Sequence, residues 1–436
     1  MKKYAILALA ALMVVAFAIP ASALENEFGG YWDARFQTQK YYDGLDRNDP
    51  GGVDDTQQNV ESRTRLYYTA KINDNLKLVN KFEMDATWGD GASYGDVGAD
   101  GINIEVKNTY ADFNVGPTNW TVGTQGYSLF NDYYISNDAS GVIARWKVLD
   151  NLVLAAAWLK AFEAAAGDSG NRENEDIDSY TLSAGIWFSE NISIKPSLNW
   201  IHSSYVWAPV AAANGFTLPA GVDGEDLDIY TYGADFNMAY DAWGLWATAV
   251  GQTGTFNTTG RDVDFGGYLL ALGGNVMLGG FDLYAEGAYA SGNDSDPAVS
   301  GDYDAFYNPN GSHVWSELLS DGSLWGKNPS PSGTYDVVTN LWYVGGGVKF
   351  SPMEKLTINP SVWYARLAED NVLNDDELGT EVDLVVSYQL VEGLNLQLIG
   401  AYLFAGDALV PSAAAALGQD NEEDAYEYGV KLSLSF

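Results

Sequence analysis

The sequence predicts an all-β protein, a transmembrane antiparallel β-barrel of 18 strands, or 16 if two neighbouring segments merge. Two observations carry this prediction. Apolar side chains occupy every second position in segments of about ten residues, which is the period of a membrane barrel. The connections between these segments alternate between tight turns and long acidic loops. The 436 residues include 47 glycines, 28 tyrosines and 14 tryptophans but no cysteine, which excludes disulfide scaffolds and thiolate metal sites.

The first element along the chain is a predicted secretory signal peptide over residues 1–23. Lys2 and Lys3 precede an apolar stretch from Ala5 to Ile19, and the small residues Ala21-Ser22-Ala23 suit a cleavage site. The alternative is a retained membrane anchor, which basic flanking residues would favour, but Glu25 follows here. We therefore expect a mature chain of residues 24–436 that forms a single domain.

Eighteen alternating segments follow, from 28–42 to 423–436. In the segment from Tyr230 to Tyr240, tyrosine, alanine, phenylalanine and methionine side chains share one face, and Thr231, Gly233 and Asp235 share the other. Alternation alone also fits a soluble sandwich. The connections decide for a barrel, because turns such as Gly116-Pro117-Thr118 alternate with long loops near 43–59, 89–101, 164–177, 208–227, 293–337 and 407–422. An even number of strands places both ends in the periplasm.

Two places depart from the simple pattern. Leu149 to Ala166 is rich in alanine and leucine and would suit a helix by propensity. Charged residues interrupt it and its neighbours are strands, so we predict a strand there. Near Asn108 the apolar parity changes, which predicts a β-bulge.

The last segment alternates apolar Tyr428, Val430, Leu432 and Leu434 with small or polar residues and ends on Phe436. It resembles the C-terminal insertion signal of bacterial outer-membrane proteins. The resemblance implies that the barrel-insertion machinery is a partner.

Charged side chains on the polar faces of the strands are the candidate pore-lining residues. The cations are Arg35, Arg63, Arg65, Lys77, Lys81, Arg145 and Lys147, and the carboxylates are Asp33, Glu83 and Asp85. Counting from the turns places Arg35, Arg65, Lys81 and Arg145 near mid-height, as a basic ladder on one wall. In one interpretation these cations only balance the inward carboxylates. In the other they form a constriction whose transverse field filters solutes.

Two loops are candidates to narrow the lumen. Residues 128–139 carry Asp132 and Asp138 together with bulky Phe130, Tyr133 and Tyr134, and they follow the fifth strand. The longer stretch 293–337 is the better steric candidate for a plug or lid. It contains several aspartates, but their spacing lacks a complete calcium loop, so we predict no metal.

Neither His202 nor His313 lies in a catalytic context, and no glycine-rich stretch precedes a helix. We therefore predict no enzyme activity and no cofactor. The formal net charge of −37 excludes nucleic acid as a partner.

The chain resembles the porins, particularly those typical of anaerobic sulfate- and metal-reducing proteobacteria. The likeness rests on Gly30-Tyr31-Trp32-Asp33-Ala34-Arg35, Lys81-Phe82-Glu83-Met84-Asp85-Ala86, Val122-Gly123-Thr124-Gln125 and Phe436. A weaker likeness to alginate-export barrels rests on Ala290-Ser291-Gly292-Asn293-Asp294, Phe306-Tyr307-Asn308-Pro309 and His313. The porin resemblance implies a homotrimer in the bacterial outer membrane.

These observations predict an outer-membrane porin, a water-filled channel for passive diffusion of small hydrophilic solutes and ions. A first alternative is a substrate-selective or polysaccharide-export channel. A second is a structural barrel whose acidic loops bind lipopolysaccharide through divalent cations.

Overall fold

The computed structural model describes residues 24–40, 56–93, 95–98, 103–163, 176–204, 224–258, 262–294, 300–324, 337–370, 375–409 and 424–436. The predicted signal peptide, 1–23, lies outside the described residues. So do the greater part of four predicted long loops, at 41–55, 164–175, 205–223 and 410–423.

Strands make up most of the described chain. Its strands are β1 (Glu25–Lys40), β2 (Thr56–Asn73), β3 (Leu76–Thr87), β4 (Glu105–Val115), β5 (Thr118–Leu129), β6 (Ile135–Leu149), β7 (Leu152–Phe162), β8 (Ile177–Ser189), β9 (Ile192–Ser203), β10 (Gly224–Tyr240), β11 (Trp243–Thr258), β12 (Val263–Phe265), β13 (Tyr268–Leu278), β14 (Phe281–Ala290), β15 (Asp302–Tyr303), β16 (Leu341–Met353), β17 (Leu356–Leu367), β18 (Glu377–Val391), β19 (Leu394–Ala405) and β20 (Ala425–Ser435). Two short 3₁₀ turns, Gly91–Ser93 and Asp407–Leu409, complete the described elements. No helix in the described residues is long and apolar enough to cross a membrane.

Eighteen of these strands form the wall of a closed antiparallel barrel, which confirms the predicted fold. Each pairs with the wall strand on either side, and β1 closes the ring by pairing with both β2 and β20. The short β12 precedes β13 and also pairs with β11. The two-residue β15 lies parallel to β12 and belongs to the connection between β14 and β16. The count is therefore 18 wall strands and not 16.

Burial alternates along the strands as the sequence pattern predicts. On β10, Thr231 is fully buried, whereas its neighbours Tyr230 and Tyr232 are 39% and 51% exposed. At these positions the polar side chain points inward and the apolar ones point outward, whereas Leu227 and Ile229 of the same strand are apolar and buried inside the barrel. That outer surface suits hydrocarbon, because lipid solvates apolar side chains and closure leaves no strand edge to hydrate.

The short turns all lie at one rim of the barrel. They occupy residues 74–75, 116–117, 150–151, 190–191, 241–242, 279–280, 354–355 and 392–393. Gly116 and Gly393 adopt φ values of 58° and 81°, which glycine tolerates without strain. Glu25 pairs with Lys71 beside the first of these turns, so β1 starts at the same rim.

Both predicted irregularities appear in the structure. The alanine- and leucine-rich segment forms strand β7, not a helix. On β4 and β3, Asn108 pairs with Lys81 but Val106 pairs with Phe82, which leaves Lys107 as the extra residue of a bulge. The bulge accounts for the change of parity.

Candidate functional site

The segment between β5 and β6 folds into the barrel. Phe130, Tyr133 and Tyr134 are completely buried. The Asn131 amide donates to Thr248 Oγ1 on β11 at 2.8 Å, and the Tyr134 hydroxyl donates to Asn199 Oδ1 on β9 at 3.2 Å. Since β9 and β11 are not neighbours of β5 or β6, the segment crosses part of the lumen.

Three successive residues with positive φ values turn this segment into the barrel. Phe130, Asn131 and Asp132 have φ values of 56°, 49° and 70°, three successive left-handed residues that are not glycine. Each such residue costs about 1–2 kcal/mol. The burial of three aromatic rings offsets that cost, and the segment 130–134 is therefore held by its contacts and not by local preference.

The connection between β14 and β16 fills a second part of the lumen. Trp315 stacks on Tyr343 of β16, with ring centroids 4.2 Å apart. The Glu381 carboxylate of β18 accepts backbone N–H hydrogen bonds from residues 317, 318 and 319 at 2.9, 2.6 and 2.8 Å. These contacts fix residues 300–324 inside the barrel, as the steric prediction for 293–337 requires. Residues 295–299 and 325–336 of that stretch lie outside the described residues.

The two infolded segments also bind each other. The Asn308 amide donates to the Tyr133 carbonyl at 2.8 Å, and the His313 ring stacks on the Tyr133 ring at 3.9 Å. The Tyr133 hydroxyl lies 2.7 Å from the Tyr343 hydroxyl. Together the segments form one continuous apolar core inside the barrel, and this core narrows the lumen.

Three of the predicted basic residues are neutralised by inward carboxylates. Arg35 pairs with Asp33 at 3.2 Å on β1. Across β2 and β3, Arg63 pairs with Asp85 at 2.6 Å, and Arg65 pairs with Glu83. The charge-balance interpretation therefore describes this part of the wall.

Lys81 and Arg145 differ, because neither forms an ion pair within the described part of the chain. Lys81 Nζ lies 5.4 Å from the centre of the Tyr67 ring. Arg145 is exposed, and its one described side-chain hydrogen bond is a long one, 3.4 Å to Thr121 Oγ1. These two cations therefore carry net positive charge on the inner wall.

Arg145 lines a cavity of about 380 Å³ beneath the first infolded segment. Lys195, Asp132 and Asp235 line the same cavity, so its lining carries both signs of charge. Asp235 accepts a hydrogen bond from Thr248 at 2.9 Å. The predicted loop carboxylate Asp132 and the predicted wall cation Arg145 thus line one cavity.

The remaining predicted residues lie elsewhere. Lys77 pairs with Asp112 at 3.1 Å, and Lys147 pairs with Asp150 of a turn at 2.9 Å, so both lie near the turn rim. Asp138 accepts a hydrogen bond from Asn108 at 2.6 Å. The structure thus divides the predicted ladder into a balanced group on β1 to β3 and separate cations at Lys81 and Arg145.

An acidic cluster was missed from the sequence. Glu381 and Asp383 of β18 and Glu427 of β20 point inward and are buried, and Glu317 of the second infolded segment joins them. Burial raises the pKa of Glu317, although Ser323 donates two hydrogen bonds to its carboxylate. The inward parity of Glu381 and Asp383 was the available signal.

In the described part of the chain, no group of three or more histidine, aspartate or glutamate side chains has the geometry of a metal site. His202 lies on the outer face, 5.0 Å from the Trp200 ring, and its Nδ1 lies 2.9 Å from Asp228. His313, by contrast, lies in the lumen.

A closed 18-stranded barrel with an apolar exterior and a polar lumen narrowed by infolded segments has the architecture of a membrane channel. The sequence profile of the family described as Campylobacter major outer membrane protein matches residues 2–208. No curated protein matches the chain.

Several solved outer-membrane barrels share the fold. Pseudomonas aeruginosa OpdQ is 11% identical with a TM-score of 0.55, and the match covers 94% of this chain and 98% of that one. The outer membrane protein opdK from Pseudomonas aeruginosa is 10% identical with a TM-score of 0.57, over 94% and 98%. Acinetobacter baumannii OccAB1 is 11% identical with a TM-score of 0.56, over 96% and 99%. At such identities the likeness establishes the barrel fold alone.

Proposed function

We propose that the protein is a porin of the Gram-negative outer membrane, through which small hydrophilic solutes and ions diffuse passively. One observation carries the proposal. The barrel is closed and apolar outside, while its inner wall carries many polar and charged side chains beside the apolar core that narrows the lumen. Such a wall hydrates a pore, and the match to an outer-membrane protein family over residues 2–208 supports the location.

The infolded segments favour a narrow, selective pore over a wide one. They are anchored by hydrogen bonds to β9, β11 and β18, so they present a fixed surface to a passing solute. Lys81 and Arg145 supply positive charge beside this surface, and Asp132 supplies negative charge. A transverse field of this kind orients small polar solutes.

Export of a polyanion such as alginate fits the lumen less well. Its cations lie mainly on β1 to β6, whereas β18 and β20 present Glu381, Asp383 and Glu427. A polyanion would meet these carboxylates along its path, at a cost in electrostatic energy.

We further propose the cellular setting that the sequence predicts. Residues 1–23 direct export and 24–436 form the mature barrel domain, with both termini in the periplasm. The β-strand ending at Phe436 engages the insertion machinery, and the outer surface contacts lipid and lipopolysaccharide. The resemblance to the porins of sulfate- and metal-reducing proteobacteria further implies a homotrimeric assembly.

Reconstitution in a planar bilayer tests the proposal. The porin should give steady ohmic conductance carried by small ions. A conductance that one solute blocks saturably would instead support a substrate-selective channel. A correctly folded barrel without conductance would contradict both and support the structural alternative.

A further inference from the structure

His313 lies where three separate parts of the molecule meet. It belongs to the second infolded segment, its Nδ1 lies 3.0 Å from the Asn131 carbonyl oxygen of the first, and its Nε2 lies 3.1 Å from Glu286 Oε1 of β14. Its ring stacks on Tyr133 and lies 5.9 Å from the Trp246 ring of β11. The side chain is only 16% exposed. One imidazole thus links both infolded segments to the barrel wall.

Both ring nitrogens face hydrogen-bond acceptors. A backbone carbonyl only accepts, and an ionised carboxylate only accepts, whereas a neutral imidazole has a single N–H to donate. The two contacts of His313 are therefore both satisfied only when the pair with Glu286 holds one additional proton. That proton can lie on the imidazole or on the carboxyl group, and the geometric requirement is the same.

We propose that His313 and Glu286 form a proton-dependent latch that holds both infolded segments in the lumen, and that loss of its proton widens the pore. Without the proton, the Nε2 lone pair faces the Glu286 carboxylate, or the Asn131 carbonyl loses its donor. Either outcome breaks one of the two links. The function of the latch rests on the proposed channel.

The groups that face the latch do not replace the proton. Tyr343 of β16 donates to Glu286 Oε1 at 3.1 Å, and the Tyr133 hydroxyl lies 2.7 Å from that of Tyr343. Trp246 contributes only an uncharged ring. No lysine or arginine forms an ion pair with Glu286 among the described residues, and His313 is the basic side chain in contact with it there.

Channel conductance measured over a range of pH tests the latch. We would compare wild type with His313→Gln, because the glutamine amide is neutral at every pH. His202→Gln is the matched control, since His202 is the other histidine of the chain and lies on the outer face. Folding of each variant is verified by the heat-dependent mobility of the barrel in gel electrophoresis.

Single-channel conductance should increase between pH 5.5 and pH 8 in wild type and in His202→Gln, and should lose this dependence in His313→Gln. Glu286→Gln should lose it as well. The same comparison in a Glu317→Gln background separates the latch from that buried carboxyl group.

A pH-independent wild-type channel, or a His313→Gln channel with the wild-type pH dependence, would overturn the latch while leaving the channel proposal intact. Absence of conductance at every pH from a folded barrel would overturn the channel proposal itself.

Nuclear magnetic resonance gives an independent measurement. Labelling with ¹⁵N-histidine yields signals from two residues only, and His202→Gln assigns them. At pH 5.5 the His313 ring should show two N–H protons protected from solvent exchange, and in Glu286→Gln the Nε2 proton should lose protection. A single protected N–H at pH 5.5 together with an Nε2 that accepts no hydrogen bond would mean that the pair holds no additional proton, and would overturn the latch.

Discussion

Neutralising Lys81 and Arg145 should shift the ion preference of the channel toward cations. The structure singles out these two among the predicted wall cations, because Arg35, Arg63 and Arg65 are paired with carboxylates. The double variant Lys81→Gln/Arg145→Gln removes charge that no ion pair neutralises among the described residues. Lys147→Gln is the matched control, since Lys147 pairs with Asp150 at the turn rim.

The magnitude follows from Coulomb's law. A univalent ion that passes about 6 Å from one such charge in water interacts with it by about 0.7 kcal/mol. At 0.1 M salt the Debye length is about 10 Å, which reduces this energy to about 0.4 kcal/mol. Because the sign is opposite for anions and cations, each lost charge should lower the anion-to-cation permeability ratio about fourfold where the ions pass it.

The reversal potential in a salt gradient across a planar bilayer measures this ratio. The double variant should shift it toward the cation value, and more so at low salt, while Lys147→Gln should match wild type. Equal reversal potentials for wild type and the double variant would show that solutes do not pass these side chains, and the constriction would then have to lie elsewhere.

Three further predictions concern the lumen and the outer surface. Arg35→Gln leaves the buried Asp33 carboxylate with Lys431, at 3.7 Å, as its nearest remaining described cation. We therefore expect the unfolding free energy measured by urea titration to fall by up to about 3 kcal/mol. Unchanged stability would mean that Lys431 fully replaces the arginine. Glu381→Gln removes the negative charge and one of the two carboxylate oxygens that accept three backbone N–H hydrogen bonds. Because a hydrogen bond to a charged group contributes about 1.5–3 kcal/mol, residues 317–319 should loosen and the current noise should rise, whereas a quiet trace would contradict the anchoring role. Leu182 is 62% exposed on the lipid face of β8. Leu182→Arg should therefore cost about 2–4 kcal/mol of folding free energy in lipid vesicles, whereas Leu182→Met should cost little. Equal stability of the two variants would refute the lipid-facing assignment.

The wall of the barrel was predictable because its pattern is local. Inward and outward side chains alternate with a period of two, so Thr231 and Tyr232 disclose their environments from position alone. The bulge at Lys107 was predictable for the same reason, since an extra residue inverts the parity on one side of it. Counting alternating segments was therefore sufficient to obtain 18 strands.

The contacts inside the lumen were not predictable in this way. Tyr133 and Tyr343 are 210 positions apart, and no periodicity connects them. The pairing partners of Arg35 and Arg65 depend on strand register, which is set across the sheet and not along one strand. The sequence indicated which residues face inward. Predicting which of their charges form ion pairs would have required the strand register and the positions of the infolded segments.

The seam between the first and last strands has a consequence for the order of assembly. Ten residue pairs join β1 to β20, and Gly30 exchanges backbone hydrogen bonds with Phe436 at the end of the seam. Until β20 is in place, the sheet keeps two open edges whose amide and carbonyl groups hydrocarbon cannot satisfy. A chain that lacks only its final strand therefore cannot close the ring, so β20 is required before the barrel is stable in the hydrocarbon layer.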